Sequence, residues 1–572
     1  MSGRSSIYQK LHATAGLTNE AEVRRVMGRT LKKLEAVEME IAGLQDRLIV
    51  LGQRKQDTES FIEVHEGFLS PIRRLVPEIL QEIFWLCLPV AHNSVLSAEG
   101  APLVLGRVCS QWRRIAYSTP KLWCSLHITV PPLTYPQARA MFEASEAWIA
   151  RSGILPLSIS ISNAKWMQMS MDQFRPYFEL ITKHARRWRS IRVQIPFADM
   201  RNFLMELDAD NFPLLEGFHV DRGILGKVGM LNHPLSRKDG ILSAPSLRVL
   251  SINKISRLLD LPVQWSLLKG LDLMHSNLHE VFEVLTLCSN LEACSFRPDT
   301  SPNPFLNLQP PINRPNISLS KLRTLRMLPG RGHVSLSLLN NLAAPALRHF
   351  ACSRFLDSEE QALPSTTPLP SLKVFRSFFQ KLNQPLEELE LNAKSFTTRY
   401  LMEFLSLLPG LKRLSCLYPS KFDRSPLNDR LLSGFIPSEH ISHYQSCSSE
   451  ADQIYGYEPD FPSSSTCLCP NLEVLNVDHA SLSKHVLLEY LRSRLVDYEK
   501  YNVARLRCFN ISFKWRVKDH DSMMQEVDRL AGDSGLVVEF GHNTLATRKE
   551  TLLPPPPSKY SPSDGIRKIF GV

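Results

Sequence analysis

The sequence predicts a protein of mixed α and β structure: an amphipathic helix, a small helical module, and then a long array of strand–helix repeats. Three observations carry this expectation. Apolar residues recur in steps of three and four near the N-terminus, two short amphipathic stripes follow, and a leucine-centred phrase then recurs over most of the chain. With 572 residues, of which 43% are hydrophobic, the chain can bury a large core.

The first expected element is a helix over residues 23–66, which follows a polar, disordered segment over residues 1–22. Its apolar seam repeats in heptads and consists of Leu34, Val37, Ile41, Leu44, Leu48 and Leu51. The strict seam covers fewer than three heptads before Lys55 and Thr58 interrupt it, which is short for an isolated coiled-coil dimer. A single helix or a helical hairpin leading into the next module is therefore favoured, and a homodimer is the alternative.

The second expected element is a helical module over residues 68–128. Pro77 suits a first helical turn because it lacks an amide hydrogen, and Glu78 complements the helix dipole. The apolar face of this helix contains Leu75, Ile79, Leu80, Ile83 and Phe84. A second stripe contains Leu105, Val108, Cys109, Trp112, Ile115 and Ala116, and a Thr-Pro-x-x-Trp turn ends at Trp123. Either a partner covers the apolar surface that the two short helices cannot bury, or both helices belong to the core of a larger domain.

This paired pattern resembles the F-box, and the helix before it resembles the segment that precedes the F-box in similar fungal proteins. The resemblance implies that the module binds a Skp-type adaptor, which joins such proteins to a cullin-based ubiquitin ligase. It also implies that the adaptor-binding face is built or supported by Leu75, Pro77, Ile79, Leu80, Ile83, Phe84, Val108, Trp112 and Trp123. The chain departs from the pattern at Val76, where a second proline is common, and in the long stretch from Pro89 to Pro102, where we expect a solvent loop.

The third expected element is a repeat array over residues 133–545. Its phrase is a small residue or proline, a leucine, a charge and an alternating apolar strand, with 21 to 31 residues between most of the leucines. Examples are Pro245–Ile252, Ser320–Leu325, Pro370–Phe375 and Pro470–Val477. The phrase resembles a degenerate leucine-rich repeat, which implies a solenoid, and a generic α/β domain with parallel strands is the alternative. Residues 416–469 are expected to form a long loop, and residues 546–572 a disordered tail.

Composition favours an intracellular protein. The net charge of +10 is spread over the whole chain, so solubility is a sufficient explanation for it. Eleven cysteines lie singly in apolar stretches, as reduced thiols do. The N-terminus lacks the apolar core of a secretory signal, and no run of 18 apolar residues occurs. We therefore expect a cytoplasmic or nuclear location and no membrane partner.

Three segments could carry chemistry, and none fits an established pattern. The segment Gly532–Gly535 echoes a serine-protease nucleophile loop but lacks its flanking residues and a histidine motif. The basic segment over residues 183–192 could bind nucleic acid, but it lies at an expected helix C-terminus, where cations stabilise the helix dipole. A zinc site could be formed by His440, His443, Cys447, Cys467 and Cys469, but their spacing differs from that of standard zinc sites. We therefore expect no catalytic residue, metal, cofactor or nucleic-acid partner, and no enzyme activity.

The function that follows from the resemblance is substrate recognition within a Skp–cullin–F-box ubiquitin ligase. The F-box would bind the adaptor, and the repeat array would bind a target protein whose identity the sequence leaves open. One alternative is a non-degradative F-box and leucine-rich-repeat scaffold. Another is an enzyme or a nucleic-acid binder in which the F-box likeness is accidental.

Overall fold

The structure of the protein, a computed structural model, divides into two compact units, Met1–Glu82 and Ile83–Val572. The residues that it describes are 20–69, 71–131, 138–163, 171–194, 208–220, 238–253, 257–276, 278–298, 316–327, 334–353, 370–392, 396–417, 427–437, 467–480, 482–513, 525–527, 529–530, 532 and 537–541. Within these ranges no helix has the length and the apolar character needed to cross a membrane.

The first unit is dominated by one long helix, α1 (Glu20–Leu69), of 50 residues. At 1.5 Å per residue this helix is about 75 Å long. It is uninterrupted, so the helical hairpin that the sequence left open is not formed. A 3₁₀ turn (Pro71–Arg74) follows, and the chain passes from the first unit to the second within helix α2 (Pro77–Leu86).

The second unit continues with short helices and then alternates strands with helices or loops. Its described helices are α3 (Leu105–Val108), α4 (Ser110–Tyr117), α5 (Ala138–Arg151), α6 (Met171–Thr182), α7 (Leu278–Leu287), α8 (Val334–Asn341), α9 (Pro370–Gln380), α10 (Thr398–Leu405), α11 (Asp429–Ser433) and α12 (Lys484–Leu495). A 3₁₀ turn, Pro120–Trp123, leads from α4 into the first strand.

A fourteen-stranded parallel sheet forms the centre of the second unit. Its strands, in spatial order, are β1 (Ser125–Val130), β2 (Leu157–Asn163), β3 (Trp188–Gln194), β4 (Gly217–Val220), β5 (Val249–Asn253), β6 (Gly270–Ser276), β7 (Ala293–Pro298), β9 (Thr324–Met327), β11 (His349–Ser353), β12 (Glu388–Asn392), β13 (Arg413–Leu417), β14 (Val474–Ala480), β15 (Cys508–Phe513) and β16 (Val537–Gly541). Strands β8 (Ile317–Ser318) and β10 (Leu342–Ala343) pair separately. The expected class of mixed α and β structure is confirmed, and the strands of the sheet are parallel.

The leucine phrase sets the register of this sheet. The phrase leucines are all buried and include Leu215, Leu247, Leu268, Leu291, Leu322, Leu347, Leu386, Leu411, Leu472 and Leu506. The charged residue after each leucine donates its amide hydrogen to the equivalent carbonyl of the preceding phrase, as from Arg248 to Glu216 at 2.8 Å and from Lys269 to Arg248 at 2.7 Å. Consecutive phrases are therefore stacked in the same phase, with leucines inside and charges outside.

Some expectations about element type, bounds or exposure differ from the structure. The stretch from Pro89 to Pro102 is not a solvent loop throughout, because Val95 and Ala98 are buried and Val95 forms a parallel bridge to His127 of β1. The phrase at Pro370–Phe375 lies in helix α9 and is not a strand, because Phe375 and Phe378 continue the apolar pattern at helical spacing and are buried. Helix α11 lies inside residues 416–469, which were expected to be a loop. Strand β1 begins inside residues 68–128, which were expected to form only the helical module. Residues 1–19 and 542–572, which include most of the expected disordered ends, lie outside the described residues.

Candidate functional site

Helix α2 begins where the sequence predicts it. The amides of Ile79 and Leu80 donate to the carbonyl of Val76, at 3.1 and 3.2 Å, and close the first turn. Pro77 occupies the first helical position, where an amide hydrogen is not needed, and Glu78 lies in the first turn beside the positive end of the helix dipole. The local sequence thus accounts for the start of this helix.

Helices α3 and α4 approach each other closely at Gly106. A Cβ atom on Gly106 would lie 2.7 Å from Cε2 of Tyr117, so a side chain there would displace the ring. Nε of Arg113 donates to the carbonyl of Gly106 at 2.8 Å. Cys109 caps α4, because its Sγ accepts a hydrogen bond from the amide of Trp112 at 3.5 Å. These contacts fix the position of the aromatic side chains of α4.

Aromatic packing joins the helices of the second unit around α4. The ring centroids of Phe84 and Trp112 lie 4.8 Å apart. Trp123 is completely buried, its Nε1 donates to the carbonyl of Ala116 at 2.9 Å, and its ring meets the edge of Trp148 at 4.8 Å. The Thr-Pro-x-x-Trp turn therefore holds α4 against α5 and the start of the sheet.

The nine residues predicted for the adaptor-binding face differ in exposure. The exposed ones are Pro77, Ile79 and Val108. The half-buried ones are Leu75, Ile83 and Trp112. The buried ones are Leu80, Phe84 and Trp123. Exposed members can touch a partner directly, whereas buried members can only support the helices that carry them. Of the nine, the structure shows Phe84 and Trp112 in direct ring contact.

Sequence reasoning missed three exposed apolar residues near the end of α2. They are Trp85, Leu86 and Val90. The ammonium group of Lys121 lies 4.1 Å from the centroid of the Trp85 ring, which is a cation–π contact. A signal was present, because Trp85 and Leu86 extend the apolar run beyond the stripe that can be buried, so their side chains must turn away from the packed face.

The sheet of the second unit has a polar face opposite its leucine core. One register position runs along all fourteen strands and is polar at thirteen of them; we name this row the polar ladder. It consists of His127, Ser160, Arg192, His219, Ser251, Asp272, Ser295, Arg326, Ala351, Glu390, Ser415, Asn476, Asn510 and Glu539. Near one end Asn510 Nδ2 donates to Asn476 Oδ1, and Asn476 Nδ2 donates to Ser415 Oγ, both at 2.9 Å.

The other end of the polar ladder is buried and holds two histidines. His127 Nδ1 lies 2.8 Å from Ser160 Oγ. Burial, with smaller contributions from His92 and Arg192, lowers the pKa of His127 to about 3. Burial and the charge of Arg192 likewise lower the pKa of His219 to about 3. Both imidazoles are therefore neutral at neutral pH, and this end of the ladder behaves as part of the core.

Charged side chains of β11, β12 and β13 lie beside the half-buried ladder residues Glu390 and Ser415. Glu388 lies 3.0 Å from Nδ1 of His349 and 2.5 Å from Nη1 of Arg413, through its two carboxylate oxygens. Burial lowers the pKa of His349, although Glu388 opposes this shift and Arg326 adds to it. This stretch therefore presents donors and acceptors of both charge signs, as a surface for a polar peptide or protein would.

The basic segment over residues 183–192 is largely engaged within the chain. Arg187 donates from Nε to the carbonyl of Leu155 at 2.9 Å, and Arg189 pairs with Glu216 at 2.9 Å. Trp188 is buried, and its Nε1 donates to the carbonyl of Ile181 at 3.1 Å. Arg187 and Arg189 therefore link the start of β3 to the residues that precede β2 and β4.

The residues considered for zinc do not meet in the part of the chain that the structure describes. His440, His443 and Cys447 lie outside the described residues. Sγ of Cys467 lies 3.4 Å from Nη2 of Arg494, and Cys469 is buried. Among the described residues there is no group of three or more side chains that could hold a metal ion.

Comparison with protein-family models found no match, and comparison with curated proteins found none either. The resemblance to the F-box therefore rests on the residues of this chain.

Proposed function

We propose that this chain is the substrate-recognition subunit of a Skp–cullin–F-box ubiquitin ligase, and that its helical module binds the Skp-type adaptor. The observation that carries the proposal is a small helical module that is well packed and still exposes large apolar groups. Phe84, Trp112 and Trp123 pack the module, while Leu86 and Val108 remain 73% and 59% exposed. Exposed apolar groups on a rigid, packed support are typical of docking surfaces.

The sheet of the second unit supports the other half of the proposal. Its stacked phrases are consistent with a leucine-rich-repeat-like solenoid, in which buried leucines hold one face and leave the opposite face for binding. The accessible stretch of the polar ladder, with the flanking Glu388 and Arg413, offers charge and hydrogen-bonding groups to a target protein. The chain itself needs no catalytic group for this role, because holding a target beside the ligase raises its effective concentration there.

The test compares two valines of similar exposure in the full-length chain. Val108 is 59% exposed in the helical module, and Val496 is 62% exposed after helix α12. We expect Val108→Glu to weaken binding to a purified Skp adaptor by at least about tenfold, because it places a charge in a desolvated contact. Val496→Glu should leave the affinity unchanged. Binding measured by calorimetry would refute the proposal if the wild-type chain did not bind, or if both variants bound equally.

A second measurement separates degradation from scaffolding. In a reconstituted ligase, we expect transfer of ubiquitin to proteins that the second unit retains from solution. Adaptor binding without any transfer would favour a non-degradative scaffold.

A further inference from the structure

Helix α1 exposes its entire apolar seam to solvent. The six side chains of this seam are between 49% and 70% exposed: Leu34, Val37, Ile41, Leu44, Leu48 and Leu51. They alternate in steps of three and four, so they occupy the a and d positions of heptads and lie along one side of the helix. Since α1 is a single uninterrupted helix, it does not fold back to cover this seam itself.

The charges beside the seam indicate which partner fits. In the same heptad frame Lys33 and Arg54 occupy g positions, and Glu38 and Glu59 occupy the e positions of the following heptads. In a parallel pair of identical helices, each g residue meets the e residue of the next heptad of the other chain. Lys33 would then face Glu38 of a second copy, and Arg54 would face Glu59. Both pairs are attractive, and one sequence supplies both halves of each.

The intervening g–e pairs do not oppose this arrangement. Glu40 would face Gln45 and Arg47 would face Gly52, so neither pair joins like charges. In an antiparallel pair g residues meet g residues and e residues meet e residues, which brings acidic e positions towards each other. The charge pattern therefore favours a parallel pair.

Lys55 is compatible with the same arrangement. It occupies the a position after the seam, and its Nζ lies 3.6 Å from Oε1 of Glu59 on the same helix. The ammonium group can therefore leave the interface while the aliphatic stem stays beside it. A lone lysine at an a position specifies the register and number of strands in a coiled coil, at some cost in stability.

We propose that helix α1 forms a parallel two-stranded coiled coil with α1 of a second copy of this chain. The length of the strict seam alone favoured a single helix. The full exposure of the seam and the self-complementary charges beside it favour the dimer. This inference does not depend on adaptor binding, and its test contains no adaptor.

The test uses two neighbouring residues of the full-length chain. Leu48 lies in the seam and Ile49 lies beside it, and both are 70% exposed. By sedimentation velocity over a range of concentrations, the wild-type chain should reach twice the 65.0 kDa mass of one chain. Leu48→Glu should weaken dimerisation by at least about 100-fold, because each dimer would bury two carboxylates. Ile49→Glu introduces the same charge off the seam and should dimerise like the wild type.

The orientation of the helices has its own test. K33E should weaken the dimer by about fivefold, because it makes two g–e pairs repulsive, and K33E combined with E38K should restore it. Circular dichroism should show unchanged helix content in every variant, since glutamate and lysine both favour helices. A wild-type mass of 65.0 kDa at all concentrations, or equal masses for Leu48→Glu and Ile49→Glu, would overturn the dimer. A charge swap that fails to restore a weakened dimer would overturn the parallel orientation.

Discussion

Truncating Trp123 tests whether the helical module is held together as its packing indicates. The side chain is completely buried between Tyr117 and Trp148, with ring centroids 5.2 and 4.8 Å away. The guanidinium group of Arg151 also lies over the Trp123 ring, at 5.0 Å. We change Trp123 to alanine and expect the module to lose stability before any other part of the second unit.

The magnitude follows from what the substitution removes. A buried tryptophan replaced by alanine costs about 3–5 kcal/mol, because the lost contacts leave a cavity. The lost hydrogen bond adds little, since the carbonyl of Ala116 also accepts from the amide of Ser118. Arg151 keeps its second cation–π contact, with the ring of Tyr117 at 4.8 Å. We therefore expect a loss of about 4 kcal/mol.

Amide hydrogen exchange is the assay, because it reports stability locally and the chain need not unfold in one step. A loss of about 4 kcal/mol corresponds to nearly 1,000-fold faster exchange in helix α4. Trp85→Ala is the matched control: Trp85 is 44% exposed, and its loss should change exchange in α4 by less than about tenfold. Equal effects of the two substitutions would refute the packing argument, as would an increase below about tenfold for Trp123→Ala.

Two further predictions concern the core of the second unit. His127 and His219 have pKa values of about 3 in the fold, so the unfolded chain binds more protons between pH 3 and 6.5 and stability falls as the pH is lowered through this window. Denaturant titrations should show a loss of up to about 1.4 kcal/mol per histidine per pH unit, which His219→Gln should roughly halve. Arg494 is buried and donates to the carbonyls of Pro470 and Phe435 at 2.7 and 3.0 Å. Arg494→Met should cost about 3 kcal/mol, against under about 1 kcal/mol for the exposed Arg492→Met, and equal denaturation midpoints would contradict this.

Local patterns predicted most strands because each phrase by itself shows which positions of its strand are buried and which are not. A buried leucine, a half-buried or exposed charge and two alternating apolar residues define a strand without reference to its neighbours, as in Leu247–Ile252. The same reasoning failed at Pro370–Phe375, where only the later Phe378 reveals helical spacing. A window of six residues cannot distinguish the helical period from the strand period when most of its residues are apolar.

The exposure of the candidate interface was harder to predict than its helices. Ile79 and Leu80 are adjacent and chemically similar, yet Leu80 is buried and Ile79 is exposed. Periodicity places both near one face, and the choice between them depends on contacts with residues distant in sequence. For the same reason the sequence grouped the buried Trp123 with the exposed Val108. Binding experiments should therefore target Val108, because substitutions at Trp123 would report on stability.

The polar ladder could have been found from the sequence once the phrase leucines were aligned. The fourth residue after each leucine lies on the ladder, as Ser251 follows Leu247 and Asn476 follows Leu472. This rule holds although the connections vary in length, because each strand pairs only with its neighbours and longer loops add little closure entropy. Between Leu411 and Leu472 the chain inserts helix α11 and further residues, and β13 still pairs with β14 in the same phase. The position of a residue relative to the phrase leucine, more than the spacing between phrases, therefore determines which side chains a target could contact.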